Sequence, residues 1–119
     1  MEVSIHELDG VIIRHFSGKV CFQDIVKDWE KLIITYNKLD NYKGILHNYL
    51  DAEFEDGEHN LNELVDFLKE NLDKLKNLRI AVVMDTPLVT NTIIMGQKAK
   101  PLQIKPFSTV EAGMQWIQH

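Results

Sequence analysis

Arg79-Ile80-Ala81-Val82-Val83-Met84-Asp85 is an unbroken apolar run, opened by an arginine and closed by Asp85-Thr86-Pro87. Polar and apolar residues do not alternate along it, so neither face is wet. A short run of this kind, bounded by turn residues, reads as a strand buried on both sides, within a sheet covered by helices. Its far end leads into a helix start. Thr86 suits the cap, and Pro87 suits the first helical position, where a missing N–H costs nothing. The expected fold class is α/β.

The totals agree with that class. The chain has 119 residues, enough for a single domain over 1–119. A domain of this size buries roughly 65% of its unfolded surface, so it needs no covalent staples. The one cysteine, Cys21, excludes an internal disulfide framework and a multi-cysteine zinc site. No apolar run reaches membrane-spanning length, and Met1-Glu2 does not open a signal peptide, so the expectation is a cytoplasmic protein without an integral membrane segment. The net charge of −5 argues against nucleic acid and anionic membranes as main partners. The acid is concentrated in Asp51, Glu53, Glu55, Asp56 and Glu58, with no base between them.

Working outward, residues 2–7 alternate, with Val3 and Ile5 on one face, as in a half-exposed edge strand. Asp9-Gly10 is a strong hairpin signal, so residues 11–16 form a second, antiparallel strand, ended by Ser17-Gly18. Phe22, Ile25, Val26, Trp29, Leu32, Ile33 and Tyr36 make one helical stripe, with Asp24, Lys27, Asp28, Glu30 and Lys31 opposite. Residues 44–50 form a third strand, parallel to the second through a right-handed crossover. Residues 51–59 read as an acidic loop, and Asn60 with Glu63 as a capping box opening the helix of Leu61, Leu64, Val65, Leu68, Leu72 and Leu75. Leu88, Val89, Thr92 and Ile93 line a third helix, stopped by Pro101. Residues 102–107 form a last strand, at an edge because Pro106 cannot donate to a ladder. Ser108 with Glu111 reads as the capping box of a closing helix, whose inner face carries Val110, Gly113, Met114 and Ile117. The expected architecture is a mixed, mostly parallel five-stranded sheet with four helices, in the order ββαβαβαβα.

Three stretches carry a family resemblance. Gly18-Lys19-Val20-Cys21-Phe22-Gln23-Asp24 resembles the Gly-x-hydrophobic-Thr-x-x-Asp entry to the first helix of the SpoIIAA-like branch of the STAS domains. Arg79-Ile80-Ala81-Val82-Val83 resembles that family's fourth strand, and residues 104–117 its closing strand and Glu-Ala-x-x-Trp helix. The resemblance covers nearly the whole chain and implies a regulatory, protein-binding STAS-like module. One departure matters. Anti-sigma-factor antagonists of this fold carry an Asp-x-Ser or Asp-x-Thr switch just after the third strand, and here Leu50-Asp51-Ala52-Glu53-Phe54-Glu55 has no hydroxyl. In the first-helix entry, Cys21 stands where Thr would cap, and a thiol accepts hydrogen bonds poorly.

No reaction is written in the motifs. Asp56-Gly57 with Glu63 fits part of a calcium loop, but Ala52 and Phe54 fall on ligand positions and cannot ligate. A solvated acidic loop is the preferred reading over an irregular metal site with His47 or His59. Ser17, Ser108 and the threonines lack a placed His-acid partner, and no glycine-rich phosphate loop exists. Cys21 reads as a small apolar residue rather than a reactive thiol. His47 reads as a hydrogen-bonded core histidine on one face of the third strand with Ile45 and Tyr49, while Leu46, Asn48 and Leu50 face the other way.

Topology gives the candidate site. Parallel strands share one C-terminal edge, where open α/β sheets bind ligands. That edge is expected to collect Arg14 and His15, then Asn48 and Asp51, then Asp85 and Thr86, and His47 and Glu53 complete the candidate binding residues. No catalytic residue, metal ligand or cofactor is assigned. The expected function is a non-enzymatic STAS-like module binding a protein or small molecule, without the usual phosphorylation switch. Its partner is a protein, with a homodimer among the options, or a small apolar ligand. The alternatives are a carrier of a lipid-like molecule and a metal-dependent hydrolase built on the acidic loop.

Overall fold

The computed structural model describes residues 1–55, 61–85 and 89–119. Strand β1 (Glu2–Leu8) turns at Asp9-Gly10 into β2 (Val11–Val20). Asp9 has φ 52° and Gly10 φ 80°, the two positive values of a tight hairpin turn whose twist matches that of its strands. Helix α1 (Phe22–Thr35) and a single 3₁₀ turn (Leu39–Asn41) lead to β3 (Gly44–Phe54). Then come α2 (Leu61–Glu70), α3 (Leu72–Leu75), β4 (Arg79–Val83), α4 (Val89–Lys98), β5 (Gln103–Phe107) and α5 (Val110–Gln118).

The five strands lie in sequential order, with β1 antiparallel to β2 and every later pair parallel. This is the mixed, mostly parallel sheet expected from the sequence. Right-handed crossovers in sequential order send α1, α2 and α4 to one face. Ile12, Phe16, Ile45, Tyr49, Ile80 and Val82 supply the sheet's side of that core, against Trp29, Leu32, Leu64, Leu68 and Met95. Helix α5 covers the other face alone, over Val11, Ile13, Leu46, Ala81 and Val83. Strand β4 is therefore buried on both sides. Gly44 lets β3 run close beneath α5: a Cβ there would lie 2.8 Å from Ile117 Cγ2 and closer still to the Arg79 carbonyl.

Several boundaries differ from the sequence reading. The helix read over 61–75 breaks at Asn71, giving five helices among the described residues where four were expected. Asn71 Nδ2 donates to the Phe67 carbonyl at 2.9 Å, and the Asn71 carbonyl starts the next turn by accepting from Lys74 and Leu75. Strand β2 continues through Ser17-Gly18 to Val20, and β3 through residues 51–54, because the two extensions pair with each other. The acidic stretch is thus partly strand. On α1, Asp28 is buried, not on the wet face. On α4, Ile93 is exposed, and Thr92 and Met95 face inward at helical spacing, followed by buried Ala99 just past the helix end. The α5 cap is Thr109 and not Ser108: its extended backbone leaves Oγ1 to accept from Ala112 N–H at 3.2 Å. Residues 56–60 and 86–88, with the expected caps Asn60 and Thr86, the expected first helical residue Pro87, and Leu88, lie outside the described residues.

At the start of α1 the capping roles are reversed. The Cys21 thiol donates to Asp24 Oδ2 at 3.2 Å, and the Cys21 backbone N–H donates to the same oxygen at 3.4 Å. Both bonds, the thiol's first, hold the Asp24 carboxyl below its ordinary pKa.

Candidate functional site

A bulge in β3 arranges the candidate residues. His15 pairs with Asn48 and Ser17 with Asp51, so Phe16 faces two residues, Tyr49 and Leu50. The extra residue resets the alternation of the strand. Before the bulge, His47 and Tyr49 point to the α1 face. After it, Ala52 and Phe54 pack there, which leaves Asp51 and Glu53 on the opposite, open face. Without the extra residue the two acids would point into the core. Asn48 supports the bulge: its Oδ1 accepts from Leu50 N–H at 3.0 Å. Its role is local, serving a backbone donor that the ladder leaves free.

The bulge separates the candidates into two groups on opposite faces. On the open face, His15 Nε2 meets Asp51 Oδ2 at 2.5 Å, with the imidazole 36% and the carboxylate 66% exposed. Helix α5 packs on β3, β4 and β5, so this part of β2 lies beyond its cover. A shallow groove there is lined by Glu2, Val3, Ser4, His15 and Ser17. Glu53 stands across the ladder from Lys19, and Glu55 is exposed at the end of the strand.

On the covered face, Arg14 Nη2 donates to Asp28 Oδ1 at 2.5 Å, with side chains only 3% and 7% exposed. Arg14 Nη1 lies 3.4 Å from His47 Nε2, and Tyr49 Oη lies 3.3 Å from His47 Nδ1. A guanidinium only donates, so Nε2 must accept, which places the imidazole proton on Nδ1, toward Tyr49. Phe16 and Trp29 rings pack on His47 at centroid distances of 5.1 and 4.8 Å. Burial, with the Arg14 charge second, holds His47 well below its ordinary pKa, so the ring is neutral. Burial, with the Asp28 charge second, raises the Tyr49 phenol above its usual range. Two charges this dry cost desolvation, which the short ion pair and its hydrogen bonds must offset. Arg14 Nε and Asp28 Oδ2 are buried without a hydrogen bond among the described residues.

The shared edge expected from the sequence is therefore not one cluster. Because β2 runs on to Val20, Arg14 and His15 sit in mid-strand on opposite faces. His15 joins Asp51, and Arg14 joins His47. Asp85 is exposed past the end of β4, and Thr86 lies outside the described residues. Asp28 and Tyr49 were not among the sequence candidates. The signal for Asp28 was available: an arginine inside the apolar run of β2 requires a buried acid nearby. Among the described residues, no three of His, Cys, Asp and Glu gather as a metal site would need.

Neither a family model nor a curated protein sequence matches the chain. Solved structures do. An uncharacterized DUF3478-family protein with a SpoIIAA-like fold from Shewanella loihica PV-4 is 15% identical, with a TM-score of 0.61 over 98% of this chain and 92% of its own. The anti-sigma factor antagonist SpoIIAA, in its unphosphorylated form, is 12% identical, with a TM-score of 0.62 over 98% of both chains. The chain has the SpoIIAA-like fold. An anti-sigma factor antagonist from Mycobacterium paratuberculosis is 14% identical, with a TM-score of 0.62 over 99% of this chain and 94% of its own. Within this SpoIIAA-like fold, residues 51–54, compared above with the hydroxyl switch, are the last rungs of β3 and carry outward carboxylates. Among the described residues, no helix is long and apolar enough to cross a membrane.

Proposed function

We propose that this chain is a non-enzymatic regulatory module that binds a protein, and that its docking surface is the acidic end of β3. The observation that carries this reading is the bulge, which turns Asp51 and Glu53 into solvent beside exposed Glu55. A strand that spends an irregularity on presenting carboxylates offers a fixed electrostatic surface. Two of the structures with this fold are named as anti-sigma factor antagonists, which supports a protein as the partner. Residues 50–64 contain no Ser or Thr, so negative charge here is permanent and not added by a kinase. The partner surface is basic or rimmed by Lys and Arg, and its binding is salt-sensitive. The His15–Asp51 pair is open to water, a setting in which electrostatic catalysis is weak.

The test is recovery of partners from the native host at low and high salt, with phosphosites mapped on the recovered chain. A partner lost at high salt and no phosphate in residues 50–64 support the reading. A partner held equally at both salts, or stoichiometric phosphate in that stretch, overturns it. Native mass spectrometry on the same material separates the other classes. A bound lipid-like molecule would indicate a carrier, and a stoichiometric metal a hydrolase.

A further inference from the structure

The two edges of the sheet are treated differently. Strand β5 has five residues, includes Pro106 and Lys105, and has α4 packed against it. Proline, lysine, shortness and a covering helix are the usual devices against pairing with another chain. Strand β1 has none of them. It runs for seven residues, Glu2–Leu8, without Pro, Lys, Gly or a bulge, and its ladder to β2 is regular throughout. Among the described residues nothing pairs with its outer side. Ile5 is 47% exposed on it.

We propose that this edge is a homodimer interface, in which β1 pairs antiparallel with β1 of a second copy, about a two-fold axis through Ser4. The sequence of the strand is complementary to itself in that register. A two-fold perpendicular to the sheet keeps like faces together, so the numbers of opposed residues must sum to an even total. Centred on Ser4, Val3 meets the partner's Ile5 on the α1 face, an apolar pair of the kind that stabilises sheets. On the other face, Glu2 meets the partner's His6, whose ring N–H can donate to the carboxylate in either protonation state. Both of these contacts occur twice. Centring on Ile5 instead puts Glu2 against the partner's Leu8 and Val3 against the partner's Glu7, carboxylates against apolar groups. Centring on Val3 shortens the ladder and sets Glu2 against the partner's Ser4. The side chains of Glu2, Ser4 and His6 are exposed and make no hydrogen bond among the described residues, so they are free for this role. The proposal does not rest on the acidic end of β3 as a docking surface, although Glu2 and Ser4 share a groove with His15, the partner of Asp51.

Sedimentation equilibrium of the purified chain over a concentration series reads the outcome. The expected species has twice the 13.8 kDa chain mass. Ser4→Lys sets two ammonium groups against each other across the axis, and Glu2→Lys sets an ammonium against the partner's imidazole. Each is expected to weaken self-association about tenfold, the first because like charges directly opposite repel and the second because the imidazole N–H loses its carboxylate acceptor. The exchange Glu2→Lys with His6→Glu restores the complementary pair and most of the affinity. Circular dichroism of all variants, and their Tm at concentrations where the wild type is monomeric, stay at the wild-type values, because the altered side chains are exposed. A chain that stays monomeric up to about 1 mM overturns the proposal. So do single variants that associate as the wild type does, or a charge exchange that restores nothing.

Discussion

Arg14 lies within a run of apolar residues in β2, and the burial of its side chain makes Asp28 necessary. Removing one partner of a dry ion pair leaves the other charge without compensation, which costs about 3–5 kcal/mol. Asp28→Ala is expected to lower the unfolding free energy in urea by that order. Arg14→Met with Asp28→Leu is expected to recover most of it, because neither charge is then buried. Equal losses in the single and double variants would show that the pair is not the cause. His47 gives a pH signature. Its folded pKa is depressed below the unfolded value, so below about pH 6.5 the unfolded chain binds a proton that the folded chain refuses. Stability from this group is therefore full above that pH and is lost as pH falls through it. Wild type is expected to lose about 1 kcal/mol more than His47→Gln between pH 7 and 5.5, measured by urea unfolding at both pH values. The sequence showed His47 as a core histidine with Ile45 and Tyr49 on its face. It did not show Arg14 beside it, because Ser17-Gly18 read as the end of β2 and moved Arg14 toward the strand end.

Gly18 has φ 82°, and yet the strand continues through it, because Ala52 of β3 is paired alongside. Tertiary pairing overrode local turn chemistry there, and the same pairing drew residues 51–54 out of the acidic loop into β3. Elements with a strong period were legible: the α1 stripe from Ile25 to Ile33 is buried as read, although Asp28 joins it, and β4 is buried on both sides. The bulge was not legible, since a single extra residue leaves no mark in composition, and Asn48 is equally at home in a turn. Its structural role is testable. Asn48→Ala deprives the exposed Leu50 N–H of its acceptor, at a cost of about 0.5–1 kcal/mol, because water can take the acceptor's place. The variant is also expected to loosen the hold on Asp51, so the His15–Asp51 contact weakens. Denaturant unfolding reads the first effect. The His15 ring chemical shifts in NMR spectra at one pH read the second, and shifts identical to wild type would mean that the bulge holds without Asn48.

On the scale of the molecule, sequential strand order decides which surfaces are free. Three crossover helices crowd one face, while among the described residues α5 alone covers β3, β4, β5 and the start of β2 on the other, leaving β1, the far half of β2 and the end of β3 open. The mixed, mostly parallel sheet was expected from the sequence; the sequential strand order is read from the structure. So is the site, because which side chains reach the open face depends on the bulge. The net charge of −5 and the outward row Asp51, Glu53, Glu55 place negative potential at that open end. Such a field acts at a distance, before contact, so it speeds encounter with a basic partner more than it slows departure. Asp51→Asn, Glu53→Gln and Glu55→Gln together keep the shape and the acceptor to His15 while removing three charges. At low salt the association rate with the recovered partner is expected to fall roughly tenfold, while dissociation changes little. The variant's association rate should also vary less steeply with ionic strength than the wild type's. Stopped-flow measurements at several salt concentrations separate the two rates. A loss carried wholly by dissociation would mean that the carboxylates act as buried contacts and not as a steering field.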